Sequence, residues 1–547
     1  MIAEKIEVEE IKEEELTTVL ERARAVLPEE DFNKINKVVI AYLYLTRLLE
    51  KKNTTLHRLR SIIFGSKSEK TKNVLQIEKQ KEEKNETIPQ NKPKGHGRNG
   101  HDAYIGAEHI NVSHQALHSG DCCPGCIKGK VYNLAEPERL VHVVGQAPLS
   151  ATVYELERLR CNLCGTVFKA KPPPGVELVK YDETASSMIS LLKYGSGVPF
   201  NRLQKLEQNL GIPLPATTQW EIVEQAATQI EPAFDELIHQ AAQGKVLHND
   251  DTSMKILELS KKSEDESSNE KSPKNELLED LPDDRTGVFT SSILSVHNDY
   301  KIALFLTGRR HAGENLHDVL KQRAQELSSP IQMCDALSRN MPKALQTIIA
   351  NCLSHARRKF VDVVNSFPDE CCFLLETLKN VYKNDKTTKD NDMSDNERLA
   401  FHKINSAPLM ASLKKWAEDL LLNKKVEPNS GLGEALTYLL KHWEKLTLFL
   451  RQPGAPLDNN ICERALKKAI LHRKNALFYK TQHGADVGDL FMSLIYSCEL
   501  NNANPFHYLT ELQRHAKLLA ENPSQWMPWN YKNTLQALNT PKVSSGP

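Results

Sequence analysis

The sequence predicts a multidomain α+β protein with a central α/β domain, and three observations lead to this fold class. Strand-like runs at 246–257 and 330–335 contain or end in acids. A long segment with helical periodicity, about 365–455, comes after them. Two Cys-x-x-Cys pairs precede them. At 547 residues the chain is long enough to form several domains.

The elements of the central domain follow one another in a specific order. They are strands 246–257, 287–296 and 300–306, a helix at about 314–327, and strand 330–335. Three strands, a helix and a fourth strand is the order of the ribonuclease H-like fold, in which the first and fourth strands are neighbours. This adjacency would bring Asp250 and Asp335 together.

Two acids at the ends of neighbouring strands repel each other unless a cation lies between them. Oxygen ligands favour magnesium or manganese over zinc. His248 would share a face with Asp250 only if the strand stays regular. The alternative interpretation is that Asp250 and Asp335 are ordinary turn formers.

A third acid, Glu463, lies in a predicted helix at 457–470. Asn460 followed by Glu463 fits a capping box, so Glu463 could simply close the helix N-terminus. The cations that follow need another explanation, because no acid interrupts them; they are Arg464, Lys467, Lys468, Arg473, Lys474 and Lys480. This charge distribution indicates a polyanion beside a metal ligand.

Four motifs together carry a resemblance to a known family. They are Asp250-Asp251-Thr252, Cys-Leu-Ser-His-Ala-Arg-Arg-Lys-Phe at 352–360, Asp-Asn-Asn-Ile-Cys-Glu-Arg at 458–464, and Arg-Lys-Asn-Ala-Leu-Phe at 473–478. The chain resembles the IS66 family of bacterial insertion-sequence transposases, enzymes of the Asp-Asp-Glu class. The resemblance covers nearly the whole chain.

The resemblance implies metal-dependent cleavage at the ends of an insertion sequence and strand transfer of the 3′ ends into target DNA. Asp250 and Glu463 match the first and last catalytic acids, and Asp251 stands where the family has a Glu. Asp335 is the candidate second acid, although Ala and Leu follow it where the family often has Gly and Tyr. These three acids would bind two Mg²⁺ (or Mn²⁺) ions.

The implied partner is double-stranded DNA, both the terminal repeats of the element and the target. The candidate phosphate-binding residues are Arg357, Arg358, Arg464, Lys467, Lys468, Arg473 and Lys474. A homo-oligomer is expected, with accessory proteins of the same element as further candidate partners. Cys352 and His355 share a helix face; they could bind zinc or simply pack near the active site.

Two alternative functions remain open from the sequence. One is a metal-dependent nuclease without strand transfer. The other is a non-enzymatic DNA-binding regulator derived from a decayed transposase. The presence of all three acids argues against decay.

A structural zinc ion is predicted nearer the N-terminus. Cys123, Cys126, Cys161 and Cys164 form two Cys-x-x-Cys knuckles with strand-like runs between them, as in a zinc ribbon. The gap between the knuckles exceeds the usual ribbon spacing, but the resembling family carries a zinc-binding domain here. Paired redox cysteines are the alternative.

The domain boundaries follow from these assignments. We predict a helical region at 1–70 that forms a coiled coil or an amphipathic helix, a flexible linker at 71–100, and the zinc ribbon at 101–172. A helical region at 173–243 is either a helix-turn-helix DNA-binding motif, with Thr217 or Thr218 capping its second helix, or a packed hairpin. The catalytic domain spans 244–498, with a disordered insertion at about 261–284 and a helical one at about 365–455. A C-terminal tail, 499–547, completes the chain.

Composition favours a soluble intracellular protein, and the resemblance implies a bacterial cytoplasm and association with the nucleoid when acting. Lys and Arg total 71, as do Asp and Glu, so the formal net charge is zero and DNA binding must rest on local charge. The acidic N-terminal stretch lacks signal-peptide character, and no apolar run approaches a membrane span. The 11 cysteines show no pattern typical of a disulfide framework.

Overall fold

The computed structural model describes residues 107–134, 139–164, 166–176, 179–261, 286–341 and 346–539. The predicted N-terminal helical region and linker therefore lie outside the described residues, as does nearly all of the predicted insertion at 261–284. The chain divides into two compact units. One comprises 1–84 and 364–376, of which only 364–376 is described; the other comprises 85–363 and 377–547 and holds every strand found in the described residues.

Seven strands are present in the described residues. They are β1 (Arg158–Arg160), β2 (Val167–Lys169), β3 (Val246–Met254), β4 (Val288–Val296), β5 (Lys301–Gly308), β6 (Ile331–Cys334) and β7 (Ile348–Asn351). β1 and β2 form a separate antiparallel hairpin. The other five form one mixed sheet, in which alternating or continuous burial marks each strand as part of the core.

The order of the large sheet is β5-β4-β3-β6-β7. β3, β4 and β5 are successive antiparallel neighbours, whereas β6 and β7 run parallel to β3. The predicted adjacency of the first and fourth strands is therefore observed. β7 was not predicted, because a strand of four residues is too short to show a recognisable periodic pattern in the sequence. The first strand ends at Met254, before the predicted end, since a short helix begins at Leu257.

Sixteen α-helices surround the sheets in the described residues. They are α1 (Glu183–Ser190), α2 (Phe200–Asn209), α3 (Ala216–Ala242), α4 (Leu257–Lys261), α5 (Ala312–Leu320), α6 (Leu353–Val363), α7 (Pro368–Asp390), α8 (Asp395–Asn405), α9 (Ala407–Leu422), α10 (Gly431–Lys441), α11 (Trp443–Leu446), α12 (Asn460–Ala476), α13 (Gln482–Leu500), α14 (Pro505–Arg514), α15 (Ala516–Glu521) and α16 (Tyr531–Asn539). The helical segment predicted before Glu463 is thus helical along most of its length.

Helix α13 closes the open edge of the sheet by side-chain hydrogen bonds to β5. The N–H groups of Lys301, Ala303, Phe305 and Thr307 donate to the side chains of Asn501, Ser497, Ser493 and Asp489, respectively. The donors are two residues apart along β5 and the acceptors four residues apart along α13. Two strand residues rise about 6.6 Å and four helical residues about 6 Å, so each acceptor side chain lies opposite its donor N–H. An edge strand that would otherwise offer unpaired N–H groups is covered.

The region predicted as a C-terminal tail is largely folded. Tyr508, Trp526 and Tyr531 are almost fully buried and belong to the same hydrophobic cluster as β5 and α13. The Tyr508 hydroxyl donates to the carbonyl of Trp526 at 2.8 Å. Burial of these large rings stabilises the sheet from the α13 side.

Helix α3 begins one residue before Thr217, and its N-cap residue is Pro215. The prediction that Thr217 or Thr218 caps this helix is therefore wrong. Nine of its 27 residues are buried, and several belong to the main hydrophobic cluster. Its buried face packs on the core, so only its remaining surface could meet a ligand. No described helix is both long and apolar enough to cross a membrane.

Candidate active site

Asp250 lies in β3, opposite Ser292 of β4, and is half-buried. Burial, together with the neighbouring carboxylates of Asp335, Asp251 and Glu463, raises the pKa of Asp250 to about 7. The backbone N–H of Asp251, which donates to Asp250 Oδ1 at 2.9 Å, acts in the opposite direction. Asp250 therefore sits where a cation would be strongly favoured.

Asp335 follows the last residue of β6, which is parallel to β3. The backbone N–H of Leu337 donates to Asp335 Oδ1 at 3.1 Å, and the side chain of Asn340 donates to the same oxygen. Asn351, at the end of β7, donates its side-chain N–H to the Asp335 carbonyl at 3.3 Å. The position of this acid is thus fixed from two sides.

A buried amide network that the sequence did not reveal supports Asp335. Gln332 donates to Asn249 Oδ1 at 2.9 Å and to the Asn340 carbonyl at 2.7 Å, and Asn249 donates to that carbonyl at 2.8 Å. All three side chains are fully buried. Polar residues at buried positions of strand-like runs were the available signal, since buried amides are normally hydrogen-bonded.

Glu463 lies in the first turn of α12. The predicted capping box does not form: the N-cap is Asn459, without a side-chain cap, and Glu463 Oε1 is buried with no hydrogen-bond partner among the described residues. Two side-chain nitrogens approach its carboxylate, His355 Nε2 at 3.6 Å from Oε1 and an Arg358 nitrogen at 3.9 Å from Oε2. Glu463 is therefore available as a ligand.

His248 and Asn459 connect β3 to the start of α12. His248 Nδ1 and Asn459 Oδ1 are 3.0 Å apart, and Asn459 Nδ2 donates to the Asn249 carbonyl at 3.1 Å. Burial lowers the pKa of His248 to about 4, so the ring is neutral. His248 thus orients the helix that carries Glu463. Asn459 was missed at the sequence level, although it belongs to the Asp-Asn-Asn run of the family motif.

The three predicted acids come from three separate elements, and in the described residues their carboxylate oxygens do not all lie within 4.8 Å of one another. Asp250 comes from β3, Asp335 from the end of β6 and Glu463 from α12, and both Asp335 and Glu463 act electrostatically on Asp250. The donor set consists of oxygen atoms, one of them an orphaned buried carboxylate oxygen. Such a set fits a hard divalent cation such as magnesium.

The predicted DNA-binding cations fall into three groups. Arg464, Lys467 and Lys474 are exposed on α12 at spacings that place them along one helix face. Lys468 instead pairs with Glu499 at 2.8 Å. Arg473 donates to the carbonyl and hydroxyl of Ser253, and these hydrogen bonds connect α12 to the end of β3. Arg357 and Arg358 are half-buried on α6.

The described structure brings the four knuckle cysteines together in pairs, not as one set. The N–H groups of Lys128 and Gly129 and the thiol of Cys123 lower the pKa of the Cys126 thiol. The Thr166 hydroxyl, first among several hydrogen bonds, lowers the pKa of Cys164 to about 7. In the described ranges, no three of the four knuckle ligand atoms lie within 4.8 Å of one another. A zinc ribbon stays a prediction.

An acidic cluster beside a row of exposed cations is typical of enzymes that process nucleic acids. The chain belongs to the IS66 family of transposases: the family model described as "Transposase IS66 family" matches residues 179–487, more than half of the chain. The match includes Asp250, Asp335 and Glu463. The resemblance stated from the motifs is confirmed.

Two curated relatives come from Sinorhizobium fredii, and both are named as uncharacterized proteins. The chain is 32% identical to y4jD over 188 residues, which is 34% of this chain and 36% of the relative. It is 27% identical to y4hP over 360 residues, 63% of this chain and 61% of the relative. The chain thus spans between about a third and three fifths of these relatives.

Proposed function

We propose that this protein is an Asp-Asp-Glu transposase that cleaves DNA at the ends of its insertion sequence and joins the 3′ ends to target DNA. The observation that carries the proposal is the position of half-buried Asp250 on β3, next to the parallel strand β6 that leads into Asp335, with the carboxylates of Asp335 and Glu463 near enough to raise its pKa. Three carboxylates from distant parts of the chain repel one another, and this repulsion destabilises the fold unless a cation is bound. Their placement has a ready explanation in cation binding.

The strand order supports a ribonuclease H-like core for this enzyme. An antiparallel trio, β3 to β5, followed by two parallel strands, β6 and β7, agrees with the element order expected from the sequence. β3 is central in the sheet and carries Asp250, and β6 beside it delivers Asp335. In this proposal α12 supplies the last acid from the helical layer.

Asp250, Asp335 and Glu463 would hold two magnesium ions. When bound, the metal supplies Lewis-acid activation of the attacking oxygen and stabilisation of the leaving oxygen in phosphoryl transfer. The chain's own contribution is orientation. The amide network around Asn340 holds Asp335, and the neutral His248 holds the start of α12 through Asn459.

The exposed cations of α12 would bind the DNA backbone next to this site. Arg464, Lys467 and Lys474 share a face, and Arg464 directly follows Glu463. Contacts of this kind position a duplex without reading its sequence. Recognition of the terminal repeats would fall to other parts of the chain, for which the predicted coiled coil and zinc ribbon are candidates.

The decisive experiment uses a labelled duplex carrying an end of the element that encodes this chain. Wild type, Asp250→Asn, Asp335→Asn and Glu463→Gln are assayed with Mg²⁺ for strand cleavage and for joining to a target duplex, with DNA binding measured in parallel. Asp419→Asn is the matched control, because Asp419 is an acid on α9 in the helical insertion. We expect each of the first three substitutions to lower cleavage more than about 100-fold with DNA affinity retained.

Each other outcome changes the proposal in a defined way. Cleavage without joining would make the protein a nuclease. DNA binding by wild type without any cleavage would favour a non-enzymatic regulator. Activity of Asp335→Asn near that of Asp419→Asn would remove Asp335 from the site.

A further inference from the structure

A second cluster of ligand atoms shares Glu463 with the acidic site. Cys352, His355 and Glu463 each offer an atom, and these atoms lie within 4.8 Å of one another. In the described part of the chain this is the only set of three or more His, Cys, Asp or Glu side chains that meets this distance. The cluster joins the start of α6 to the first turn of α12.

Two atoms of this cluster are buried without a hydrogen-bond partner in the described structure. They are Nδ1 of His355 and Oε1 of Glu463. Buried polar atoms are nearly always paired, so each of these two atoms calls for a partner such as water or an ion. The imidazole nitrogen nearest Glu463 Oε1 is the other one, Nε2, at 3.6 Å. Arg358 approaches the other carboxylate oxygen, Oε2, and leaves Oε1 facing His355.

The surroundings of the Cys352 thiol act on its charge in two directions: burial raises its pKa to about 12, and the backbone N–H of Asn459 acts in the opposite direction. Cys352 is 1% exposed, and its sulfur accepts the backbone N–H of Asn459 at 3.2 Å. Such an N–H contact stabilises negative charge on sulfur and orients a ligating side chain. Asn459 is itself fixed by His248, so this sulfur is held by the same contacts that position α12.

We propose that Cys352, His355 and Glu463 form a binding site for a divalent transition metal, with zinc as its representative ion. A thiolate and an imidazole select such metals over magnesium, and three protein ligands leave a fourth position open. Zinc bound here recruits Glu463 and withdraws it from the oxygen ligand set of Asp250 and Asp335. Occupancy of this site therefore inhibits the metal-dependent reaction.

The inhibitory consequence rests on the proposed function, whereas zinc binding itself does not. The first measurement is therefore the number of zinc ions bound per full-length chain, by equilibrium dialysis in the presence of excess Mg²⁺. Wild type is compared with Cys352→Ser and His355→Gln. The control is Cys498→Ser, because Cys498 is equally buried but lies in α13, outside the cluster. The four knuckle cysteines are the same in all four proteins.

We expect wild type and Cys498→Ser to bind one zinc ion more than Cys352→Ser and His355→Gln. Equal zinc binding by all four proteins, with thermal melting confirming that each is folded, would overturn the proposal. His355→Gln keeps the test meaningful if Cys352→Ser does not fold, because His355 is partly exposed.

The second measurement is the cleavage rate in a zinc-buffered series, with each protein compared with its own zinc-free rate. Half-inhibition of Cys352→Ser should require about 100-fold more zinc than half-inhibition of wild type or Cys498→Ser. A common zinc sensitivity would mean that zinc does not inhibit through this cluster. If wild type fails to cleave at all, the proposed function fails, while the zinc count still decides the metal site.

Discussion

Asp250 and Asp251 are consecutive residues of β3, yet their carboxylates have different partners. Asp250 is influenced by Asp335 and Glu463, whereas Asp251 Oδ2 lies 2.9 Å from His311 Nδ1, and Asp251 Oδ1 lies 3.3 Å from an Arg339 nitrogen. The Asp251 side chain is 1% exposed. Alternation along a strand separates the two side chains. We therefore expect Asp251 to have a structural role and not to be a metal ligand.

Substitution of Asp251 should therefore impair stability more than chemistry. Asp251→Asn removes the charge that pairs with His311 and the half-exposed Arg339, so we expect the free energy of unfolding to fall by about 1–3 kcal/mol. Cleavage per folded molecule should fall less than tenfold, against more than about 100-fold for Asp250→Asn. Urea unfolding and the labelled-duplex assay measure the two effects. A larger loss of cleavage in Asp251→Asn would make Asp251 a ligand.

Metal-free stability should depend on pH through Asp250. Its pKa is raised in the folded state to about 7 from 3.8, so its stabilising contribution is present below about pH 4 and is lost as pH rises through 7. The loss could reach roughly 4 kcal/mol. In EDTA, the difference in melting temperature between Asp250→Asn and wild type should grow in favour of the variant from pH 5 to pH 8. Excess Mg²⁺ at pH 8 should restore much of the wild-type value. A difference that is independent of pH would contradict the raised pKa.

The sequence predicted the adjacency of β3 and β6 and indicated three candidate acids, because both depend on local patterns. Acids at the ends of apolar runs stand out, and the adjacency of β3 and β6 follows from the order of elements. The contacts that hold the acids could not be predicted, since Asn249, Gln332 and Asn340 meet only after β3, β6 and the following turn come together. The capping box that was the alternative interpretation of Glu463 does not form, for the same reason. The start of α12 is fixed by the contact between Asn459 and His248, which is 211 residues away in the sequence. A motif that spans a few residues around Asn460 carries no information on such a distant contact.

The edge-strand contacts predict a second stability effect, at Asp489. Both carboxylate oxygens accept from Thr307, from its backbone N–H and its hydroxyl, and burial raises the pKa of Asp489 to about 8. Asp489→Ala leaves this N–H unsatisfied and should lower the free energy of unfolding by about 2–4 kcal/mol. Asp489→Asn keeps an acceptor for the N–H and should cost less than about 1 kcal/mol. Chemical denaturation near pH 6 measures both. Equal losses would show that packing, not the hydrogen bond, dominates.

Leu477 should be a site where glycine stabilises the protein. It follows α12 with φ 70° and ψ −43°, and the N–H of Phe478 donates to the carbonyl of Ala476 at 2.9 Å, which defines a strained γ-turn. The Leu477 side chain is 64% exposed, so its removal forfeits little burial. We expect Leu477→Gly to raise the free energy of unfolding by about 1 kcal/mol. Leu477→Ala is the control and should give no gain, because it keeps a Cβ at positive φ.

Lys467 and Lys468 offer a matched test of how α12 meets DNA. Lys467 is exposed on the face shared with Arg464 and Lys474, whereas Lys468 pairs with Glu499 at 2.8 Å and lies over the ring of Tyr496. If the Lys467 ammonium binds a phosphate, Lys467→Ala should reduce the slope of log affinity against log salt by about 1. Lys468→Ala should leave the slope unchanged, because its charge is already paired within the protein. Fluorescence anisotropy with a random-sequence duplex at several salt concentrations measures both slopes. The same slope for the two variants would mean that DNA approaches the active site along a different surface.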